Sequence, residues 1–305
     1  MEKFEITILG CGSATPGLKH FTSSQVLNIR EKLFMIDCGE GTQIQMRRTK
    51  IAFGKLNHIF ISHLHGDHCF GLLGIISSFG LLGRTAPLFV HAPADMWKIL
   101  KPELDFYCQG MEYEVEFCGF NPKEKAIIYD DKSLYVETIP LKHRIPTAGF
   151  LFKEKPLPDH LDRAAADYYR VPQWDYNRIK NGGDFVTADG KTIPHKQLTK
   201  PATPPRSYAY CCDTEFNPDM IEQITGVSTL YHDCTYSEAD KERAKKHFHS
   251  TAAQAANTAK QAEAGTLILG HFSARYNNEN ILLEEAKEIF KNSYLAKENA
   301  TFTIE

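Results

Sequence analysis

His63-Leu64-His65-Gly66-Asp67-His68 places three histidines and an aspartate within six positions of the chain. Neutral imidazoles and carboxylates are the usual ligands of Zn²⁺ in hydrolytic enzymes, and a site needs several of them within about 2.0–2.2 Å of the ion. Residues 58–62, just before the motif, form a short apolar run that predicts a strand, and Gly66 permits a tight turn after it. The sequence therefore predicts a metal site on a loop at the end of a strand.

Seven other histidines stand apart from any such cluster in the sequence. A lone histidine is more often a packing or surface residue than a ligand, whereas three of them with an aspartate, next to glycine, have little structural purpose. We therefore interpret the others as packing or surface residues, although the loop that carries His20 could face the site. They are His20, His58, His91, His160, His195, His232 and His247.

Three further predicted strands also end in residues that can bind metal ions. Each is a run of β-branched, aromatic and other apolar residues that stops at a histidine or an aspartate. Strands therefore repeatedly end in potential ligands. These strands, with their last residues, are 134–143 (His143), 207–213 (Asp213) and 266–271 (His271).

The rest of the chain shows strands interspersed with helices, the pattern of an α/β protein. Period-two alternation and short apolar runs predict strands at 4–9, 25–29, 33–37, 87–91, 228–235 and 301–304. Helical spacing or composition predicts helices at 71–79, 95–104, 251–264 and 282–291. The pair 25–29 and 33–37 has the spacing of a hairpin.

Composition and targeting signals restrict the class of protein. The 305 residues are 42% hydrophobic and 24% charged, values typical of a folded globular protein. The first twelve residues do not resemble a signal peptide, and no apolar run reaches the roughly 18 residues of a spanning helix. Eight cysteines without a C-x-x-C pair indicate reduced core residues. We expect a cytoplasmic protein with no membrane association.

The net charge of −3 argues against nonspecific coating of nucleic acid, but it allows local basic surfaces. One candidate is Arg47-Arg48 with Lys50. The other is the run of Lys241, Arg243, Lys245 and Lys246 just before His247. For each cluster taken alone, a solvated helix face is the favoured interpretation.

Residues 154–206 differ in composition from the rest of the chain. Seven of the 15 prolines fall there, together with Gly182-Gly183 and many charged residues. Such a segment is too long for an ordinary connection, so it is either a linker or a functional insertion. Residues 184–193 have the pattern of a small hairpin with an Asp-Gly turn. We favour a projecting arm, inserted into a single domain that spans 1–305.

The histidine motif after a strand resembles the hallmark H-x-H-x-D-H of the metallo-β-lactamase superfamily. That resemblance implies an αββα sandwich. It also implies two Zn²⁺ per subunit, with Mn²⁺ or another divalent metal as alternatives. The implied ligands are His63, His65 and His143 for one metal, Asp67, His68 and His271 for the other, and Asp213 as a bridge.

More specific motifs resemble the ribonuclease Z family, endonucleases that trim the 3′ trailer from precursor tRNA. The similar segments run nearly end to end, at 10–17, 34–43, 63–74, 140–144, 212–214, 249–254 and 270–276. The resemblance implies that His249 acts at the scissile phosphate and that Asp233 orients it. Asp233 stands where that family has glutamate, so its side chain is one methylene shorter.

The resemblance also implies a mechanism. Two metals bind a water, Asp67 ligates and accepts its proton, and the hydroxide attacks phosphorus. His249 then stabilises the transition state or protonates the leaving 3′ oxygen. The tRNA would keep a 3′-hydroxyl and the trailer a 5′-phosphate.

Substrate contacts and partners follow from the same resemblance. Lys19, Arg275 and Tyr276 are candidate substrate-binding residues, and the arm 154–206 would be the tRNA-binding exosite of a homodimer. The loop 16–21 and the arm tip 171–177 depart from the family pattern. The alternatives are a general or cyclic-nucleotide phosphodiesterase of the same superfamily, and a noncatalytic RNA-binding subunit.

Overall fold

Two seven-stranded β-sheets lie at the centre of the protein in a computed structural model, which describes residues 2–305. The first sheet has strand order β18-β1-β2-β3-β4-β5-β6, so the last strand of the chain pairs with the first. Its strands are β1 (Phe4–Gly10), β2 (Ser24–Ile29), β3 (Lys32–Cys38), β4 (Leu56–Phe60), β5 (Leu88–Pro93), β6 (Val115–Phe120) and β18 (Thr301–Thr303).

The second sheet has strand order β17-β16-β15-β14-β9-β8-β7. Strands β14 to β17 run parallel, whereas β9 pairs antiparallel with β14 and β7 with β8. In the first sheet, β1 to β3 pair antiparallel and β3 to β6 run parallel, so both sheets are mixed. The strands are β7 (Ile127–Asp130), β8 (Leu134–Leu141), β9 (Thr147–Glu154), β14 (Ser207–Cys211), β15 (Thr229–Asp233), β16 (Thr266–Gly270) and β17 (Ser293–Leu295).

The two sheets face each other across one hydrophobic core. Alternate residues of the first sheet, such as Phe34 and Phe60, point into this core, and their neighbours belong to a second core on the other face. The Phe34 ring lies 5.8 Å from that of Phe152 on β9, and the Phe60 ring lies 5.5 Å from that of Phe150. Because both faces of the first sheet are buried, its inner strands are apolar on both sides.

Helices cover the outer faces of the two sheets. Helices α1, α3 and α4 contribute to the second core beneath the first sheet, and α9 and α10 pack with the second sheet. The predicted α/β sandwich of two sheets between helices is confirmed. The helices are α1 (Thr42–Arg48), α2 (Gly66–Cys69), α3 (Leu72–Leu81), α4 (Trp97–Tyr107), α5 (Arg163–Tyr168), α6 (Tyr176–Lys180), α7 (Ile221–Ile224), α8 (Lys241–His247), α9 (Ala252–Gln261) and α10 (Asn280–Ile289).

The predicted strands that carry ligands are confirmed, but each ends one or two residues earlier than predicted. Strand β8 ends at Leu141, β14 at Cys211 and β16 at Gly270. The ligands therefore lie on the loops just beyond the last ladder hydrogen bonds. The sequence analysis also missed β9, because its residues are buried on both faces and do not alternate in polarity.

Residues Glu154–Pro205 form a compact unit of their own, apart from the unit of 2–153 and 206–305. This unit has a small core that includes Ile179 and Leu198. The predicted Asp-Gly hairpin is present as β11 (Phe185–Val186) and β12 (Thr192–Ile193), and a second short pair joins β10 (His160–Leu161) to β13 (Thr199–Lys200). None of the helices in 2–305 is both long and apolar enough to cross a bilayer.

Candidate metal centre and active site

The seven ligand candidates come together at one end of the sandwich, on the loops after β4, β8, β14 and β16 and on the short helix α2 that follows β4. They fall into two groups that share Asp213. In the first group, His63 Nε2 lies 2.9 Å from His65 Nδ1, which lies 3.3 Å from His143 Nε2. Asp213 Oδ2 lies 3.6 Å from His63 Nε2 and 3.5 Å from His143 Nε2.

The second group contains Asp67, His68, His271 and the other oxygen of Asp213. Asp213 Oδ1 lies 2.9 Å from His271 Nε2 and 3.5 Å from His68 Nε2. Asp67 Oδ2 lies 3.5 Å from His68 Nε2 and 3.6 Å from His271 Nε2. Asp213 thus presents one oxygen to each group, the placement that a bridging carboxylate requires.

These distances fit divalent metal ions. Tetrahedral ligands about 2.0–2.1 Å from Zn²⁺ stand roughly 3.3 Å apart, and the observed separations of 2.9–3.6 Å bracket that value. His68 Nε2 and His271 Nε2 are buried and form no well-aligned hydrogen bond, although carboxylate oxygens of Asp67 and Asp213 lie 2.9–3.6 Å from them. Buried polar atoms are rarely left unpaired, so both nitrogens are placed as ligands would be.

The opposite ring nitrogens are held by hydrogen bonds. His68 Nδ1 donates to Asp37 Oδ2 at 2.7 Å, and His143 Nδ1 donates to the carbonyl of Phe248 at 3.0 Å. His63 Nδ1 donates to Ser62 Oγ at 2.9 Å, and that hydroxyl donates to Asp37 Oδ2. Such partners fix the tautomer of a metal-binding histidine and aim the other nitrogen at the ion.

His271 is held in the same way from the second sheet. Its Nδ1 donates to Thr235 Oγ1 at 2.9 Å, and that hydroxyl donates to Asp233 Oδ1 at 2.7 Å. Asp37 and Asp233 therefore play equivalent parts behind the two groups. The sequence analysis singled out Asp233 but missed Asp37, Ser62 and Thr235. The position of Asp37 at the end of a predicted strand was the signal that could have identified it.

Electrostatics also favour a bound cation. Burial lowers the pKa of His271, but the carboxylate of Asp213 outweighs it and raises that pKa to about 10. Burial opposes ionisation of Asp67, yet hydrogen bonding to His271 and the charge of His68 lower its pKa to about 2. Without metal, the buried carboxylates thus draw protons onto neighbouring imidazoles. A divalent ion can replace those protons, which makes metal binding pH-dependent.

His249 lies beside the two groups and is held by Asp233. Its Nδ1 lies 2.8 Å from Asp233 Oδ2, and its ring centroid lies 5.2 Å from those of both His143 and His271. The shorter aspartate therefore reaches the imidazole. Burial raises the pKa of Asp233, but the charge and hydrogen bond of His249 outweigh it, so the pKa is lowered and the carboxylate stays ionised.

A cavity of about 630 Å³ opens onto this centre. Its lining includes Asp67, His143, His249 and Asp213, and also Arg144. His247, interpreted from sequence as a packing or surface residue, lines it as well. Its walls therefore hold both ligand candidates and His249.

The three candidate substrate-binding residues do not line this cavity. The Lys19 ammonium pairs with Glu279 and donates to the Asn277 carbonyl. Arg275 and Tyr276 both bind Asp240, at 2.8 and 2.7 Å. His20 does not line the cavity either, and its ring nitrogens lie 3.0 Å from Glu298 and 3.1 Å from Glu279.

Comparisons with known proteins agree with this architecture. Residues 4–157 match the family model described as Anti-Pycsar protein Apyc1, a stretch that includes the histidine motif but ends before Asp213. The crystal structure of human tRNase Z, short form, matches with a TM-score of 0.71 at 22% identity, covering 99% of each chain. A metallo-β-lactamase fold protein from Bacillus subtilis matches with a TM-score of 0.70 at 15% identity, covering 99% of this chain and 100% of that one.

The two-sheet sandwich with clustered histidines and aspartates at one end defines a protein of the metallo-β-lactamase fold. A ribonuclease Z from Phocaeicola vulgatus is 57% identical over 305 residues, which covers all of this chain and 99% of the relative. The chain belongs to the ribonuclease Z family.

Replacement of Asp37 tests whether the buried carboxylate supports metal binding. In Asp37→Ala, His68 loses the acceptor that aims its Nε2, so we expect Zn²⁺ affinity to fall about 10- to 100-fold. Competition with a fluorescent chelator measures the affinity, and circular dichroism checks folding. Asp105→Ala, an exposed aspartate on α4, is the control. A folded Asp37→Ala protein with unchanged zinc affinity would contradict this role.

Proposed function

We propose that this chain removes the 3′ trailer from precursor tRNA by zinc-dependent hydrolysis of one phosphodiester bond. Membership of the ribonuclease Z family makes it a metal-dependent endonuclease of tRNA 3′-end processing. The observation that carries the detailed proposal is the Asp233–His249 pair beside two ligand groups joined by Asp213. This arrangement offers both metal ligands and a proton-transfer group to a single phosphate.

The proposed ligands of one Zn²⁺ are His63, His65 and His143, and those of the other are Asp67, His68 and His271. Asp213 would offer one carboxylate oxygen to each ion. Two such ions supply a water of lowered pKa and stabilise the charge that develops on the attacking and leaving oxygens. The buried Nε2 atoms of His68 and His271, which face the Asp67 and Asp213 carboxylates at 2.9–3.6 Å, support this ligand set.

Asp67 is the proposed proton acceptor. Its Oδ2 is fixed by the backbone N–H of Ala14 at 2.8 Å and by the nearby imidazoles, while the residue itself lines the cavity. The low pKa of its carboxyl keeps it ionised at neutral pH. The proton of the attacking water passes to this carboxylate as the oxygen approaches phosphorus.

His249 is the proposed proton donor to the leaving oxygen. Asp233 holds its Nδ1, so its Nε2 is left for the substrate. As the bond from phosphorus to the 3′ oxygen breaks, His249 gives that oxygen a proton. The tRNA then ends in a 3′-hydroxyl, and the phosphate stays on the 5′ end of the trailer.

The arm is the proposed exosite for tRNA. Trp174 and Tyr168 of the unit Glu154–Pro205 are 84% and 79% exposed, so their rings are free to stack on bases. We also propose a homodimer. Exposed apolar side chains on and beside α3 and α4 support a protein interface, namely Leu81, Leu82, Ile99, Phe106 and Tyr107. All eight cysteines are free thiols, which supports the cytoplasm as the site of action.

Cleavage of a precursor tRNA with a 3′ trailer is the direct test of the reaction. We expect the zinc-loaded protein to release a tRNA with a 3′-hydroxyl and a trailer with a 5′-phosphate, as judged by end-mapping. Asp67→Ala should lose activity on both the precursor and bis(p-nitrophenyl) phosphate. Hydrolysis of the small ester without cleavage of the precursor would contradict the tRNA assignment.

His249→Ala tests the proton donor. Loss of general acid catalysis should lower kcat for the precursor about 100- to 10,000-fold, with zinc content unchanged. Bis(p-nitrophenyl) phosphate should be affected much less, because nitrophenolate leaves without a proton. Equal losses for the two substrates would show that His249 does not protonate the leaving oxygen.

Deletion of the arm tests the exosite. A variant with residues 155–204 replaced by a short Gly-Ser linker removes one compact unit and leaves β9 and β14 in place. We expect kcat/KM for the precursor to fall much more than that for the small ester, because only tRNA would contact the arm. Comparable losses for both substrates would refute this role.

A further inference from the structure

Two cationic side chains and a histidine border the cavity at the end of α8 and beside His143. Arg144 and His247 line the cavity, and Lys246 precedes His247 on the exposed side of the helix. We name Arg144, Lys246 and His247 the basic rim. We propose that the basic rim binds the backbone phosphates of the tRNA acceptor strand immediately 5′ of the scissile bond, an inference that rests on the proposed function.

The basic rim is attached to the catalytic centre by backbone hydrogen bonds. Helix α8 ends at His247 and is capped by Phe248, whose backbone is left-handed with φ of 59°. The N–H of Phe248 donates to Lys245 O at 3.2 Å, and the N–H of His249 donates to Ala244 O at 2.9 Å. The carbonyl of Phe248 in turn accepts from His143 Nδ1. The end of α8 is therefore held at a fixed place between a metal-ligand candidate and His249.

The charges of the basic rim are not neutralised within the protein. No carboxylate of residues 2–305 forms an ion pair with Arg144, Lys246 or His247. Nearby cations differ in this respect, since Lys142 pairs with Asp219 at 2.7 Å and Lys241 pairs with Glu238 at 2.6 Å. Unpaired positive charge at the mouth of a substrate cavity attracts a polyanion.

The side chains of the basic rim also act on one another. Slight burial lowers the pKa of His247, and the charges of Lys246, Arg243 and Arg144 lower it further. Arg144, Arg243 and Lys246 therefore lie close enough to His247 for their charges to act on its imidazole. The one acidic side chain in the cavity lining outside the ligand set is Glu40, which belongs to the loop after β3. The cavity thus has a cationic border on the α8 side.

The position of the cleaved bond indicates which strand of the precursor tRNA contacts the basic rim. The bond that breaks joins phosphorus to the 3′ oxygen of the last tRNA nucleotide, and His249 protonates that oxygen. The tRNA strand must therefore leave on the side of His249. The basic rim lies on that same side, because Lys246 and His247 stand three and two residues before His249. Arg144 follows His143, whose ring centroid lies 5.2 Å from that of His249. The phosphates next to the 3′ oxygen belong to the acceptor strand.

The contacts should contribute to binding through release of counterions. Each neutralised phosphate contributes about 0.7–0.9 to the slope of log affinity against log salt. The double variant Arg144→Ala with Lys246→Ala should raise KM for precursor tRNA roughly tenfold and lower that slope by about 1 to 2. The conservative variant Lys246→Arg keeps the positive charge and should bind precursor tRNA as the wild type does. Lys241→Ala, at the opposite end of α8, is the matched control and should leave KM and the salt slope unchanged.

The experiment uses the zinc-loaded protein and two precursors, one with a single-nucleotide trailer and one with a longer trailer. If the basic rim binds the acceptor strand, the double variant loses the same factor on both. A loss seen with the longer trailer alone would overturn the assignment and place the trailer on the rim. A fall in bis(p-nitrophenyl) phosphate hydrolysis as large as the tRNA effect would also overturn it, because His143 or His249 would then be displaced.

Binding of an already processed tRNA separates this inference from the proposed function. Filter retention measures Kd without any cleavage. We expect a roughly tenfold higher Kd for the double variant than for wild type or Lys241→Ala. Equal Kd values would refute the basic rim even if precursors are cleaved normally. Failure of the wild type to cleave precursors would refute the proposed function instead, whatever the Kd values show.

Discussion

The buried carboxylate of Asp37 is the interaction on which both the fold and the catalytic centre depend. It is fully buried, and its backbone is left-handed with φ of 55°. It accepts hydrogen bonds from Ser62 and His68, which belong to the first sheet and its loop, and from Tyr210 of the second sheet. A buried charge is tolerated only when it is hydrogen-bonded and paired, so these partners must stay in place. Asp37 therefore joins the two sheets at the point where the ligands converge.

The second sheet repeats this arrangement with Asp233. Its two oxygens accept from Thr235, from the backbone of Thr214 and from His249. One carboxylate thus fixes a ligand candidate, His271, through Thr235 and a proposed proton donor, His249, directly. Because both depend on one side chain, a shift of Asp233 would disturb the metal centre and the proton transfer together. Asp233 is the last residue of β15, and its carboxylate reaches the His249 imidazole at 2.8 Å.

Much of this architecture could be predicted from the sequence, because its signals are local. The histidine motif is six residues long, and the ligand-bearing strands are apolar runs that end at His143, Asp213 and His271. The supporting network could not be predicted from pattern alone. Asp37 receives its hydrogen bond from Tyr210, 173 residues later, and no local spacing indicates such a contact. The substrate contacts implied by the family resemblance stay a prediction. Lys19 and Arg275 form ion pairs with Glu279 and Asp240 and do not line the cavity.

The central claim is that two carboxylate-anchored groups hold two metal ions through a shared Asp213. Zinc stoichiometry tests it most directly. Metal-free protein titrated with Zn²⁺, with bound metal measured by inductively coupled plasma mass spectrometry after dialysis, should take up two ions per chain. His271→Ala should retain one of them, because it removes a ligand from one group only. Uptake of a single ion by the wild type, or of two by His271→Ala with unchanged affinity, would contradict the account.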